Sequence, residues 1–195
     1  MNSSNTITDL TSHGLHSEEN ELSRRYLKLL CRWIPIATSA FERWPMRDDA
    51  GHFFGGVFPY GQETNLPALA VAAASSSPEF DENLAGTSRD ELQQMVRAAI
   101  RYLCFTHDTG PDECIRPSTS WGRTLPCSTK WGERGRGFFF ESQCGVAVFT
   151  LIQNALLVSH LLEEEELEMI GAIAADYLER FGRMPPKSGT YRNTQ

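Results

Sequence analysis

The sequence predicts an all-α protein of antiparallel helical hairpins joined by long irregular loops. Three observations carry that reading. Leu92, Met95, Val96, Ala99, Ile100 and Leu103 fall on one face of a helix behind Ser88-Arg89-Asp90-Glu91, a capping-box pattern. Two helical stretches, 142–162 and 164–181, follow each other through a short connection, which makes them neighbours in an αα-hairpin. Strand alternation is nearly absent, Phe138-Phe139-Phe140 being the only candidate.

In chain order, residues 1–16 read as a disordered leader of Asn, Ser, Thr and His, followed by one helical domain over 17–195. Ser17 caps a helix whose first turn holds Glu18, Glu19 and Glu21, placed well for the positive end of the helix dipole. Leu22, Tyr26, Leu29, Leu30 and Trp33 recur at helical spacing, and Pro35 is expected to kink the helix or end it one turn later. A continuation over Ile36–Trp44 is allowed, with Ile36, Ala40, Phe41 and Trp44 as its apolar side. The glycine- and proline-broken segment Asp48–Asn65 reads as a loop. Its Phe53, Phe54, Phe58 and Tyr60 either line a pocket or pin the loop as buried rings. Leu66–Ala74 is a short helix of small residues suited to close packing inside. The helix from Ser88 ends near Phe105–Gly110, presenting Thr106, His107 and Asp108 at its mouth, where the helix dipole favours a protonated histidine. Residues 142–162 are apolar almost all round and belong between other helices. Leu167, Ile170, Ala174, Tyr177, Leu178 and Phe181 give the last helix its stripe, and Glu163–Glu166 its acidic first turn and solvated face.

Composition narrows the function classes. The chain has 195 residues, 41% of them hydrophobic, and a net charge of −7, with mean hydropathy −0.35. These are values of an ordinary globular domain without a nucleic-acid footprint. No apolar run is long enough to span a membrane, and the N-terminus lacks the basic and apolar regions of a secretory signal. A cytoplasmic chain is the expectation unless a signal was removed. The five cysteines form no C-x-x-C pair, so neither a metal nor a cofactor is expected. A Cys114–Cys127 bridge suits an extracellular protein, free thiols an intracellular one.

Chemistry-bearing residues concentrate in Phe105–Gly110 and Ser118–Gly145. Arg116, Arg123, Lys130, Arg134 and Arg136 make this a basic stretch on an acidic protein, fitting an anionic small ligand or polymer. Flat rings mixed with Arg, Lys, Glu and Gln suit a sugar. Trp121, Trp131 and Tyr60 are candidate platforms, with loop anchors as the alternative for the tryptophans. Lys130, Arg116 and Arg136 are candidate carboxylate holders. His107 is either a base or a helix-end cap, and Glu141 either a catalytic carboxylate or a charge favoured at a helix N-terminus.

The run RYLCFTHDTG at 101–110, the Trp-Gly loop, FFFESQCG at 138–145 and the apolar helix-turn-helix after it together resemble a known pattern. It is that of the heparinase II/III-like and alginate-lyase-like proteins, and more broadly of (α/α) toroids of carbohydrate-active enzymes. The resemblance covers residues 88–195 and carries no diagnostic motif. It implies an arc of a toroid, binding an acidic polysaccharide or oligosaccharide and cleaving it by β-elimination. A glycoside hydrolase and a non-catalytic helical interaction module are the alternatives. In the lyase reading a neutral His107 removes the proton alpha to a uronate carboxylate, whereas a protonated His107 is a charge neutraliser and the base is a Tyr. Gln143 with Arg116 or Lys130 neutralises the developing enolate, and Tyr102 protonates the leaving oxygen. The tail MPPKSGTYRNTQ carries no structural ending, so truncation is expected, and with it a partner in the form of a C-terminal continuation.

Overall fold

A computed structural model describes residues 21–56, 62–115, 119–120, 123–124, 130–131 and 141–181. The expected leader, the Phe138–Phe140 strand and the C-terminal tail lie outside the described residues. What is described is predominantly helical.

Helix α1 spans Glu21–Ser39 and contains Pro35. It stops one turn after that proline, where Thr38 and Ser39 turn their hydroxyls back onto the carbonyls of Pro35 and Ile36 at 3.1 and 2.8 Å. The expected continuation to Trp44 is wrong. Phe41–Trp44 is strand β1, paired antiparallel with β2, Arg47–Phe53. This hairpin also replaces part of the loop expected over 48–65. The pairing runs Phe41↔Phe53, Glu42↔His52 and Arg43↔Gly51, with an irregularity before Trp44. Tertiary burial decides it: Trp44, Ala50 and Phe53 all enter the core, and the Phe41 and Phe53 rings meet edge to face at 5.0 Å. Gly51 is required by close approach, since a Cβ there would stand 2.4 Å from the Phe41 ring.

Helix α2, Gln62–Ser76, runs through the middle of the molecule. Its small residues Ala68, Val71, Ala72 and Ala74 are fully buried and let it pack on α1, α4 and α5 at once. The short α3, Glu82–Ala85, is capped by Asp81, whose carboxylate accepts from the Leu84 N–H at 3.0 Å. Helix α4, Arg89–Thr106, begins as the capping pattern predicts, Ser88 Oγ accepting from the Glu91 N–H at 3.2 Å. The Glu91 carboxylate accepts from the Thr87 hydroxyl at 2.7 Å. Two-residue strands β3, Thr119–Ser120, and β4, Arg123–Thr124, form a small ladder.

Helices α5, Glu141–Leu157, and α6, Glu164–Phe181, are joined by a single tight turn over Ser159–Leu161 and pack on each other. This is the expected hairpin. α5 is less enclosed than its composition suggests, because Phe149 and Leu156 remain exposed while Ala147, Val148 and Leu151 are buried. Between α2 and α5 lie two buried amides, Asn154 donating from Nδ2 to the Asn65 carbonyl at 3.2 Å and Asn65 to the Ala147 carbonyl at 3.4 Å.

Candidate functional site

The C-terminal end of α4 is tied into a knot by residues far along the chain. Trp131 donates its backbone N–H to the Thr106 carbonyl at 3.0 Å, and its carbonyl accepts from Asp108 at 2.9 Å. Its indole N–H reaches the Leu103 carbonyl at 2.8 Å, and the ring is buried at 1% exposure. A Trp enclosed in this way anchors a loop and offers no face to a sugar. The Lys130 ammonium donates to the carbonyls of Phe105, His107 and Gly110 at 3.3, 3.3 and 3.1 Å, and to that of Pro111. It therefore neutralises the negative end of α4. Burial pushes its pKa down. Gly110 closes the turn because a Cβ there would lie 2.4 Å from the Phe105 carbonyl oxygen.

His107 follows α4 directly and is 2% exposed. Its Nδ1 accepts from the Thr109 N–H at 3.1 Å and lies 2.8 Å from the Thr109 hydroxyl. That makes Nδ1 the acceptor nitrogen and leaves the ring proton on Nε2, 3.9 Å from Asp176 Oδ2 on α6. The ring stands edge to face on Trp131 at 4.5 Å. The sequence pointed to a helix-mouth histidine open to ligand; the fold instead encloses it between α4, α6 and the 130–131 segment. Tyr102 points elsewhere, packed edge to face against Trp44 at 5.2 Å and His52 at 5.1 Å. His107 and Tyr102 are thus both buried among rings, at 2% and 1% exposure, rather than presented at a surface. Gln143 and Glu141 lie in the first turn of α5; their side chains, and Trp121, Arg116, Arg136 and Tyr60, lie outside the described residues. Cys114 is a buried free thiol.

A charged cleft of about 350 Å³ opens beside the hairpin, lined by Arg43, Asp49, Arg97, Arg101, Glu163 and Glu165 among others. Beneath it Glu166, fully buried, accepts from Arg97 Nε at 2.6 Å, Arg101 Nη1 at 2.9 Å and the Glu163 N–H at 2.9 Å. Arg101 also reaches Asp49 at 2.6 Å and Glu165 at 3.0 Å. Burial alone would raise the Glu166 pKa, but Arg97, Arg101 and the Glu163 N–H outweigh it and hold the carboxyl at about 2. Arg47, bonded to Asp49 at 3.1 Å, keeps that carboxyl low as well. Cations and anions are balanced along the lining, so the cleft has little selectivity for an anion; its charges lock α6 and the hairpin onto α4. Sequence reasoning assigned Glu163–Glu166 to a solvated face and missed this network. The available signal was Arg97 and Arg101, one turn apart within a largely apolar helix, which call for counter-charges once buried.

Besides Phe149 and Leu156 on α5, large apolar side chains are exposed along two further helix faces. On α1 the buried side is Leu27, Leu30, Cys31, Ile34 and Ala37. A second apolar seam, Leu22, Tyr26, Leu29, Trp33 and Ile36, follows the 4-3-4-3 spacing of a coiled-coil stripe, with Trp33 half-buried against the core and stacked on Phe54 at 6.4 Å. Leu22, Tyr26, Leu29 and Ile36 are 58%, 60%, 58% and 57% exposed. Arg25, Lys28 and Arg32 flank it, exposed, on one side, where Arg25 pairs with Glu21 at 3.3 Å. On α6, Leu167 and Leu178 are 54% and 63% exposed, with exposed Gly171 and Ala175 between them and Glu164, Glu168 and Glu179 along one edge.

No family model, curated protein or solved structure matches this chain. Among the described residues no group of three or more His, Cys, Asp or Glu side chains is arranged to hold a metal ion, and no helix is long and apolar enough to cross a membrane.

Proposed function

We propose that this chain is a helical interaction module whose working surface is the outer seam of α1. The single observation that carries this is four large apolar side chains at coiled-coil spacing, each more than half exposed, on a helix already anchored by its opposite face. Such a contiguous patch on a soluble domain marks a protein contact. The burial of His107 and Trp131, with Lys130 engaged as a cap on the α4 carbonyls, favours this reading over a β-eliminating polysaccharide lyase, whose chemistry needs those groups at a surface. An arc of an (α/α) toroid remains the architecture we propose. In such an array each hairpin is covered by the next, and uncovered outer faces on the first and last described helices are what an open arc leaves.

The test is a Tyr26→Ser/Leu29→Ser double variant. The expected result is an unchanged unfolding midpoint, because both side chains lie outside the core, together with a clear loss of binding of an apolar fluorescent dye. A drop in stability of more than about 2 kcal/mol would show that the seam is core rather than contact surface. A panel of acidic and neutral polysaccharides supplies the opposing test. Retention of an acidic glycan, undiminished by the double substitution, would move the function to the 116–140 loop and to the expected acidic-glycan partner.

A further inference from the structure

The α1 seam, taken as a docking face, leaves open what it docks, and the chain itself carries a matching surface. We propose that copies of this chain associate head to tail, the outer face of α6 of one copy seated on the outer face of α1 of the next. This rests on the reading of α1 given above.

Charge selects this pairing over the others. The α1 seam is edged by Arg25, Lys28 and Arg32, a net positive flank although Arg25 also pairs with exposed Glu21 at 3.3 Å, and the α6 strip by Glu164, Glu168 and Glu179. Setting α1 against α1, or α6 against α6, brings like charges together when the helices run antiparallel and sets the charged flank against an uncharged one when they run parallel; only α1 on α6 brings opposite charges together. Direction follows from the same positions. When the two helices run parallel, the flank of α1 holding Arg25 and Arg32 faces the flank of α6 holding Glu168, as in parallel coiled coils.

Size is complementary too. The exposed part of the α1 seam carries bulky Tyr26, while the α6 strip is small at its centre, where a Cβ added to Gly171 would meet nothing within 4 Å and Ala175 is exposed beside it. Within one chain the two faces serve different neighbours, α1 packing on α2 and α3, α6 on α4 and α5. Among the described residues both outer faces are thus open at once on each copy. A heterologous contact of this kind leaves a free α1 at one end and a free α6 at the other, so it closes into a ring or grows. Two single-helix faces make a small interface, and the association is expected to be weak, roughly 10–100 µM.

The experiment is sedimentation of the full chain from about 1 to 200 µM, alone and with charge-swapped variants checked for helical content by circular dichroism. Arg25→Glu/Arg32→Glu makes the α1 edge acidic, and Glu168→Lys/Glu179→Lys makes the α6 edge basic. The expected result is concentration-dependent association of the wild type, monomers for each variant alone, and association restored in their equimolar mixture, where both mixed contacts are again complementary. If a swapped variant misfolds, salt dependence of the wild type decides: raising salt to about 1 M, where screening acts within roughly 3 Å, is expected to weaken association several-fold. A wild type monomeric at the highest concentration overturns the proposal. Because the dye and stability test on α1 is independent, that result would leave the docking face standing with a foreign helix or another part of a longer protein as its occupant. Association indifferent to both swaps and to salt, or a mixture that stays monomeric, would also overturn it and direct attention to exposed Phe149 and Leu156 on α5.

Discussion

Glu166→Gln isolates the electrostatic lock between α4 and α6. The substitution keeps the shape of a fully buried side chain and removes the charge that Arg97, Arg101 and the Glu163 N–H share. In the fold the carboxyl is held at about 2 against an ordinary value of 4.5, a difference worth roughly 3 kcal/mol. That agrees with the 3–5 kcal/mol or so that breaking one side of a buried ion pair typically costs. The pH dependence has a definite sign. A carboxyl whose folded pKa is depressed contributes its full stability above the unfolded value, and loses it as pH falls toward the folded one. Wild type should therefore lose this contribution between about pH 4.5 and pH 2, while the glutamine variant lacks it throughout. At pH 7 the variant should be less stable by about 3 kcal/mol in urea titration, with Tm lower by roughly 6–12 °C, and the two curves should converge near pH 2. Glu165→Gln is the control, removing an exposed partner of Arg101, and should cost less than about 1 kcal/mol. Equal urea midpoints at pH 7, or pH curves that stay parallel between 4.5 and 2, would refute the reasoning.

Gly110→Ala and Gly171→Ala should move stability in opposite directions. The first drives a methyl into the backbone of α4 and should cost about 1–3 kcal/mol or more, whereas the second fills open space on an exposed helix and should gain roughly 0.5–1 kcal/mol; chemical denaturation separates them. Lys130→Met removes the ammonium shared by four carbonyls at the end of α4 and should destabilise by about 2 kcal/mol, with hydrogen exchange accelerating first at the α4 C-terminus. His107→Ala leaves a cavity against Trp131 and strips Thr109 and Asp176 of a partner. A loss of about 2–4 kcal/mol is expected, and an unaltered melting curve would show that the ring is not part of the framework.

The helical class and most helix limits were legible in the sequence because they rest on local rules. Ser88 and Glu91 announced the start of α4, Pro35 the end of α1 one turn on, and the small residues of α2 its central place. The acidic run before Leu167 marked the start of α6. The hairpin was not legible. Phe41–Trp44 carries an apolar pattern that suits a helix as well as a strand, and its pairing with Arg47–Phe53 depends on aromatic burial against α4, a contact made across dozens of residues. The sequence offers His107, Trp131 and Lys130 as ligand-facing residues, with helix-end cap, loop anchor and solvated loop as their alternatives; in the fold they are tied to the end of α4, because backbone N–H and carbonyl groups there draw residues 130 and 131 onto it. Glu166 reads as part of a solvated face in the sequence, and only packing α6 across α4 buries it against Arg97 and Arg101. The sequence could also display the seam of α1 but not its direction. Periodicity reports which side chains share a helix face, while the neighbours that cover one face and leave the other open are set by tertiary packing alone.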